Sequence, residues 1–181
     1  METASPGLAQ QLSAIEYAPI CVVAAAYNRS YVAHPLDGFG FMIPRREGLQ
    51  TICTFWNSSL FPQHAPAGKV VLTSFAGRES HENSAASPNG TCVQSVLAEN
   101  AKILGISGEP LDREVWCTPR ALPQYNVGHA ARVARINALL AHIPNLHLAA
   151  NYLQGRSLGD CVALADDIAR RVHSQCQANA I

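Results

Sequence analysis

The sequence is short of charge and has no long hydrophobic run, and both absences limit what the protein can be. Only 14% of its 181 residues are charged, 13 basic side chains balance 13 acidic ones, and no stretch concentrates the basic ones. A neutral chain without a basic patch has no electrostatic attraction for nucleic acid, so nucleic acid is not expected as a partner. The longest apolar run, residues 18–27, contains Pro19 and is far shorter than the ~20 residues that a spanning helix needs. The sequence therefore predicts no transmembrane segment and leaves only peripheral contact with a membrane open.

The cysteines and the N-terminus indicate the compartment. None of the six cysteines shows C-x-x-C spacing, and most lie in apolar surroundings where cysteine acts as a small hydrophobe. Residues 1–11 have no basic residue ahead of an apolar run, so they do not form a secretory signal. No histidine pair has metal-ligand spacing. We expect reduced cysteines, a cytoplasmic location and no metal site.

The common catalytic motifs are missing as well. There is no G-x-S-x-G elbow and no phosphate loop ending in Lys-Ser or Lys-Thr. Gly38 and Gly40 begin a G-x-G pattern, but no third glycine and no helix follow, so they indicate a turn beside a strand and not a dinucleotide site. The sequence offers no side chain that we expect to be catalytic.

Hydrophobic residues make up 48% of the chain, enough for a folded core in one domain or in parts of two. Residues 1–11 are small and polar and are expected to be frayed, and residues 78–90 are expected to form a surface loop. Between them the pattern is that of an antiparallel sheet, in which the apolar run at 19–27 suggests a strand buried on both faces. The predicted strands are 19–27, 39–43, 49–56 and 69–75.

Helical spacing dominates the remainder. Helices are predicted at 93–104, ending at Gly105, at 130–142 and at 158–172. Short strands are predicted at 110–116 and 146–149, and a proline-rich connection at 118–125. Ser157 and Asp160 have the spacing of a capping box at the start of the last helix.

The segment 146–160 attracts attention because a strand, a glycine-bearing turn and a helix N-terminus follow one another. Such a connection points free backbone N–H groups and a positive helix end toward one place, which suits an anion or a ring that becomes anionic. The alternative, which physical reasoning alone favours, is an ordinary strand-to-helix connection with Ser157 as the N-cap.

The same segment resembles the C-terminal flavin-binding signature of the protoporphyrinogen oxidase family. These are FAD enzymes of the amine-oxidase-like flavoprotein superfamily. The matching pattern runs from Leu148-Ala149-Ala150-Asn151-Tyr152-Leu153 through Gly155, Ser157 and Gly159-Asp160-Cys161. Three further stretches resemble the family in the same order and spacing: residues 34–44, 58–66 and 121–129.

The resemblance implies an α/β (α+β) fold. It would comprise an antiparallel substrate-domain sheet followed by the C-terminal strand and helix that return to a Rossmann-like FAD domain. Residues 1–109 would be the last part of the substrate-binding domain and residues 110–181 the last part of the FAD-binding domain. The glycine-rich βαβ unit of that family is absent from this sequence. We therefore expect a C-terminal part of such an enzyme, from a truncated or split gene or a partial sequence.

By position in the family pattern, Met42, Phe55 and Phe75 are implied to contact the substrate. Their apolar side chains match positions that enclose a tetrapyrrole above the flavin. For Phe55, a place in the plain core of the sheet is an equally good interpretation.

Five residues are implied to contact the cofactor. Asn151, Tyr152, Gly155 and Leu158 match the stretch that lies along the flavin ring and its ribityl chain. Trp116 matches a residue of the strand that leads into the FAD domain, and a core aromatic is the favoured alternative for it. The family pattern usually has glycine where Ala150 stands, which puts close approach of the backbone to the cofactor in doubt.

The implied chemistry is the FAD-dependent oxidation of protoporphyrinogen IX to protoporphyrin IX, with O₂ reoxidising the flavin and releasing H₂O₂. Coproporphyrinogen III remains open as the substrate, and a separate chain that carries the N-terminal half of the enzyme remains open as a partner. The alternative function is that of a non-catalytic remnant, or of a module that binds an apolar ligand or a partner.

Overall fold

A computed structural model describes residues 5–77, 91–155 and 157–178. The chain divides into two compact units. The sheet unit is Ala18–Leu122, and the helical unit combines Met1–Tyr17 with Pro123–Ile181. The expected boundary after residue 109, between the substrate-binding and FAD-binding parts, stays a prediction, and the last strand of the sheet lies beyond that point.

The sheet unit contains the antiparallel sheet that the sequence predicts. Its spatial order is β2-β3-β4-β1-β5, and the pairs β2/β3, β3/β4 and β4/β1 are antiparallel. At the start of the last strand, the Leu111 N–H donates to the Ala26 carbonyl oxygen, at 2.8 Å. The strands are β1 (Tyr17–Asn28), β2 (Gly40–Met42), β3 (Thr51–Phe55), β4 (Lys69–Ala76) and β5 (Asp112–Pro123).

Strand β1 is buried on one face only, so the expectation of burial on both faces was wrong. Cys21, Val23, Ala25 and Tyr27 are buried, and the residues between them are half-buried. The period of two in a strand separates these sets onto opposite faces. The half-buried face is as apolar as the buried one because it carries small alanines, and the sequence pattern alone could not tell the two apart.

One helix covers the buried face of the sheet. After a four-residue helix, α2 (Asn57–Leu60), comes α3 (Thr91–Leu104), which contacts β3 and β4. It ends, as predicted, at Gly105, whose φ of +63° is the left-handed conformation that glycine adopts without strain. Val93 and Val96 of α3 are fully buried against β1 and β4. The loop predicted at 78–90 lies outside the described residues.

Strand β5 is longer than predicted, since it continues through the proline-rich stretch to Pro123. Proline lacks an N–H donor and is tolerated in a strand where that donor would face away from a neighbour. β5 is the last strand in the order of the sheet, so no described strand lies on its outer side. Its edge position explains why Pro119 does not end it.

The helical unit begins with a helix where the sequence predicted a frayed end. Helix α1 (Pro6–Ser13) has Pro6 in its first turn, and the Leu8 N–H donates to Ser5 Oγ at 3.4 Å. Leu8 is buried against Ile136 of α4 (His129–Leu140). That contact joins residues far apart in sequence, so local composition could not indicate it.

The rest of the helical unit contains α5 (Leu158–Ala178), which passes the predicted end at residue 172. The strand predicted at 146–149 does not form: these residues have no regular structure, and no described strand pairs with them. A strand exists only with a neighbour to pair with, whereas Leu146 and Leu148 instead pack on the core around Ile136. Within the described ranges, no helix has the length and apolar character to cross a membrane.

Candidate functional site

The three residues expected to contact the substrate share one face of the sheet. Met42 pairs with Cys53 across β2 and β3, and Cys53 pairs with Phe75 across β3 and β4. Directly paired residues project to the same face, and Phe55 lies two residues from Cys53 along β3. This face is opposite the one covered by α3, so Phe55 does not belong to the plain core between sheet and helix.

A fourth residue belongs to this face, the aromatic Phe39, and sequence reasoning missed it. The Phe39 ring contacts the Phe55 ring edge to face, with centroids 5.1 Å apart, and Phe55 contacts Phe75 in the same way at 5.7 Å. Phe39 is 62% exposed and Met42 is 76% exposed. We call Phe39, Met42, Phe55 and Phe75 the aromatic face. Large exposed apolar side chains grouped in this way are characteristic of a surface that binds a ligand or a protein partner.

Gly40 explains why the middle of the aromatic face is uncovered. It lies directly opposite Phe55, with φ +152°, and a Cβ there would overlap the Thr54 carbonyl oxygen. No side chain from β2 can therefore lie over Phe55 from the paired position. The Gly38-Phe39-Gly40 pattern was the signal for this arrangement, although the sequence interpretation used it only to exclude a dinucleotide site.

A buried polar cluster lies on the other side of the same strands. Thr54 Oγ1 donates to Asn100 Oδ1 at 2.8 Å, Asn100 Nδ2 donates to Ser74 Oγ at 2.7 Å, and the two hydroxyls are 2.9 Å apart. Glu99, the neighbour of Asn100 in α3, accepts three hydrogen bonds from Gln50 and Thr51 at the start of β3. No sequence motif pointed to these residues.

Trp116 is 54% exposed, so the interpretation as a core aromatic was wrong. Its neighbours Val115 and Cys117 pack on the core cluster around Cys21. Alternation along β5 therefore directs Trp116 to the opposite face of the sheet. It belongs to the sheet unit, whereas Asn151, Tyr152, Gly155 and Leu158 belong to the helical unit.

Two side chains hold the segment 151–158 at its start. The Tyr125 hydroxyl donates to the Asn151 carbonyl oxygen, and His129 Nε2 lies 2.8 Å from the Tyr152 carbonyl oxygen. The rings of Tyr125 and His129 are stacked with centroids 4.3 Å apart. The Tyr152 ring packs into the helical core, where burial, and then the nearby Tyr17, raise the pKa of its phenol. Two of the stretches that carry the family resemblance thus contact each other.

The predicted capping box forms at the start of α5. Ser157 Oγ accepts from the Asp160 N–H at 3.0 Å, and Asp160 Oδ2 accepts from the Ser157 hydroxyl at 2.6 Å and from its N–H at 3.2 Å. The two bonds that the carboxylate accepts lower the pKa of Asp160, and the bond from the Ser157 hydroxyl has the larger effect. A Cβ on Gly155 would lie 2.5 Å from Asp160 Cγ. Glycine at 155 is therefore required by the cap itself.

The helical unit also contains a cavity of about 690 Å³. It lies between α4, α5 and the segment 143–154, next to the residues that were predicted to form a strand. Apolar side chains, among them Val133 and Ile168, and polar ones, among them Asn137, Gln154 and Arg171, both line it. Its volume is in the range of small-molecule and peptide sites.

Comparison with known proteins gives the class to which this fold and these surfaces belong. Residues 2–173 match the family described as flavin containing amine oxidoreductase, so the chain belongs to that family.

Within this family, the chain is similar to several named proteins. The chain is 31% identical over 180 residues to protoporphyrinogen oxidase 1, chloroplastic, of Arabidopsis thaliana, covering 94% of this chain and 34% of that protein. It is 27% identical over 169 residues to coproporphyrinogen III oxidase of Bacillus subtilis (strain 168), covering 88% and 35%. A crystal structure from Exiguobacterium sp. 255-15, named as a candidate protoporphyrinogen oxidase, matches with TM-score 0.76 and 26% identity, covering 92% and 37%. The chain spans about a third of the length of the curated relatives it matches.

The donors in the helical unit fit the ring of a flavin better than an anion. The N–H groups of Leu158 and Gly159 make no hydrogen bond within the described part of the chain, because Ser157 satisfies only that of Asp160. The Asp160 carboxylate at the same helix end offsets the positive helix dipole. Unpaired amides beside a carboxylate suit carbonyl oxygens, such as those of a flavin ring, and do not favour a phosphate.

Proposed function

We propose that this chain is the porphyrinogen-binding and flavin-contacting part of an FAD-dependent oxidase that converts protoporphyrinogen IX to protoporphyrin IX. The observation that carries the proposal is the aromatic face, in which the three residues expected to contact substrate lie together with Phe39. Membership of the flavin containing amine oxidoreductase family supports a redox reaction. The names of the relatives, protoporphyrinogen oxidase and coproporphyrinogen III oxidase, support a porphyrinogen substrate.

In this proposal the two units have different tasks. The sheet unit offers an apolar surface on which a tetrapyrrole can lie, since ring edges and a methionine make favourable contacts with a large π-system. The helical unit would hold the flavin through the amides of Leu158 and Gly159 and the side-chain amide of Asn151. When bound, FAD supplies the acceptor for the hydride that leaves the porphyrinogen, with O₂ as the terminal oxidant. The residues of this chain bind and orient, and none is assigned an acid–base role.

The remainder of the enzyme is proposed to come from a second polypeptide. The segment 146–149 has the residue pattern of a strand but no partner strand among the described residues, and it borders the 690 Å³ cavity. A segment that pairs with no described strand can take up a strand from another polypeptide. A strand from the remaining two thirds of a family member would pair there and fill the cavity. Strand pairing would appear as slowed amide exchange at 146–149 when that polypeptide is added.

A second candidate function is binding without catalysis. The sheet unit has its own core clusters, and its aromatic face does not depend on residues of the helical unit. Such a unit could bind a porphyrin or another apolar ligand by itself. Tight porphyrin binding without flavin binding, even with the complementary polypeptide present, would favour this function.

The deciding experiment is co-production of this chain with the N-terminal two thirds of the Bacillus subtilis relative. The purified complex should be yellow and should turn over protoporphyrinogen IX. In that complex, Phe75→Ala should raise KM for the porphyrinogen more than it lowers flavin occupancy, and Asn151→Ala should do the reverse. Phe61→Ala is the control, since Phe61 is 49% exposed and lies outside the aromatic face. Equal losses from all three changes, following a lower melting temperature, would refute these assignments.

The chain alone should bind FAD weakly, because no glycine-rich βαβ unit is available in it for the pyrophosphate and adenosine. Titration followed by flavin fluorescence should show little quenching, and submicromolar affinity would contradict this expectation. The cytoplasmic location with peripheral membrane contact stays a prediction.

A further inference from the structure

The polar cluster behind the aromatic face is fully enclosed. Thr54 is 0% exposed, Ser74 is 1% exposed and Asn100 is 3% exposed, and the three side chains form a closed ring of hydrogen bonds. Every hydroxyl and amide in a buried site must be paired to avoid a desolvation cost, and an apolar trio of similar shape would avoid that cost altogether. Stability alone therefore gives no reason for polar residues here.

The position of the cluster suggests another reason. Thr54 precedes Phe55 in β3 and Ser74 precedes Phe75 in β4, so the cluster lies directly behind the two central rings of the aromatic face. Thr54 and Ser74 are also directly paired across the strands. A slip of one residue in either strand would turn its phenylalanine toward α3 and its polar residue toward the aromatic face.

Register is weakly specified here by the strands themselves. β3 has only five residues, and its pairing with β4 shifts between Thr51 and Cys53. The Glu99 carboxylate holds the start of this irregular stretch, accepting from the Gln50 and Thr51 N–H groups at 2.9 Å each and from Thr51 Oγ1 at 2.6 Å. Glu99 and Asn100 are consecutive in α3, so one helical turn fixes β3 at two points.

We propose that Asn100 is a positioning residue for the aromatic face: by bonding Thr54 and Ser74 together, it fixes the register that places Phe55 edge to face against Phe75. Glu99 has the same role at the start of β3. The proposal rests on the proposed function, since it concerns the surface assigned to the tetrapyrrole. It adds that the geometry of this surface is set from the opposite side of the sheet.

The test replaces the cluster with apolar residues of similar shape, in the triple variant Thr54→Val, Ser74→Ala, Asn100→Leu of the full chain. Because all polar partners leave together, the midpoint of urea unfolding should change little. The nuclear Overhauser contact between the Phe55 and Phe75 rings should weaken or split into several states. The dissociation constant for protoporphyrin IX, followed by its absorption, should rise by about tenfold or more.

Three controls make the outcome decisive. Ser58→Ala removes a hydroxyl that accepts from the Val71 N–H in the same unit, at 3.1 Å, and should leave ring contact and binding unchanged. Thr54→Ser keeps the hydroxyl and should preserve the ring contact and porphyrin binding. Thr54→Val should lose the ring contact and weaken porphyrin binding. If the triple variant does not fold, this pair of single variants gives the answer.

The possible failures are distinguishable. Unchanged ring contact and porphyrin affinity in the folded triple variant would overturn the positioning role and leave the proposed function standing. An unmodified chain that does not bind protoporphyrin IX, alone or with the complementary polypeptide, would overturn the proposed function. In that case the ring contact still decides whether Asn100 fixes the register.

Discussion

The two units differ in how completely their own residues pair their strands and fill their interiors. In the sheet unit every strand of the described residues has a partner, and α3 covers one face over two core clusters. In the described part of the helical unit, a cluster around Leu8, Ile15 and Ile136 forms most of the buried core. Beside it are a cavity of about 690 Å³ and residues 146–149, which pair with no strand of the described residues. The same chain thus contains a unit whose described strands are all paired and a unit whose described part contains an open cavity.

The largest loss in the free energy of unfolding should come from truncating one buried core residue in each unit. Leu72 in β4 is 1% exposed and Ile136 in α4 is 0% exposed. Leu72→Ala should cost about 2–5 kcal/mol, because the surrounding sheet cannot collapse into the hole. Ile136→Ala should cost less, since the loosely packed helical unit can relax. Both tryptophans, Trp56 and Trp116, belong to the sheet unit, so their fluorescence during urea unfolding should report Leu72→Ala, and circular dichroism should report Ile136→Ala.

Equal losses from the two changes, or a single transition seen by both signals, would show that the units unfold together. The contrast between a closed and an open unit would then not hold.

The second largest effect should be a loss of stability of the sheet unit at alkaline pH. Burial, and then the nearby Glu109, raise the pKa of Tyr27 from 10.0 to about 12. The folded state therefore favours the neutral phenol. The stabilisation is fully present below pH 10 and is lost as the pH rises through about 12, by at most about 3 kcal/mol. Burial, and then Cys117, raise the pKa of Cys21 to about 12 as well, so Cys21 should add to the loss.

The measurement is urea unfolding at several pH values between 8 and 11.5, for the parent chain and for Tyr27→Phe. The variant should show a shallower decline, and Tyr27→Phe with Cys21→Ala a shallower one still. An unchanged slope in the double variant would contradict the assignment.

A smaller effect should appear as self-association through the helical unit. Leu158 and Val162 of α5 are 82% and 61% exposed. They lie four residues apart on one face of the helix, and exposed apolar side chains grouped in this way favour association between copies of a chain. Light scattering of the isolated chain should show oligomers, and Val162→Glu should reduce them. A clean monomer at high concentration, without binding of a hydrophobic dye, would count against an open face on this unit.

The smallest effect should come from the cap of α5. Ser157→Ala removes the acceptor for the Asp160 N–H and one donor to its carboxylate, so the first turn of α5 should fray. Amide exchange at residues 158–161 should quicken, with little change in the melting temperature. Ser174→Ala is the control, because its hydroxyl donates only to the Arg170 carbonyl oxygen within α5. Unchanged exchange in Ser157→Ala would mean that the capping box does not fix this helix end.

Prediction from the sequence succeeded where the signal was local. Strands β1 to β4, the end of α3 at Gly105 and the Ser157–Asp160 box all depend on residues within a few positions of one another. The family pattern also pointed to Met42, Phe55 and Phe75, which share one face of the sheet, and their contact with substrate stays a prediction. Prediction from the sequence failed at α1, where the decisive contact of Leu8 with Ile136 spans most of the chain.

Other features were decided by tertiary structure alone. Pairing, and not the pattern of residues 146–149, determines whether an extended segment becomes a strand, and no described strand is available there. Trp116 is exposed because β5 is an edge strand whose inner positions are taken by Val115 and Cys117. The sequence by itself determined the alternation that makes a two-faced sheet and the caps that end its helices. Only the packing of α3 decided which face became core, and so left Phe39, Met42, Phe55 and Phe75 on the other, because a helix can bury one side of a sheet at a time.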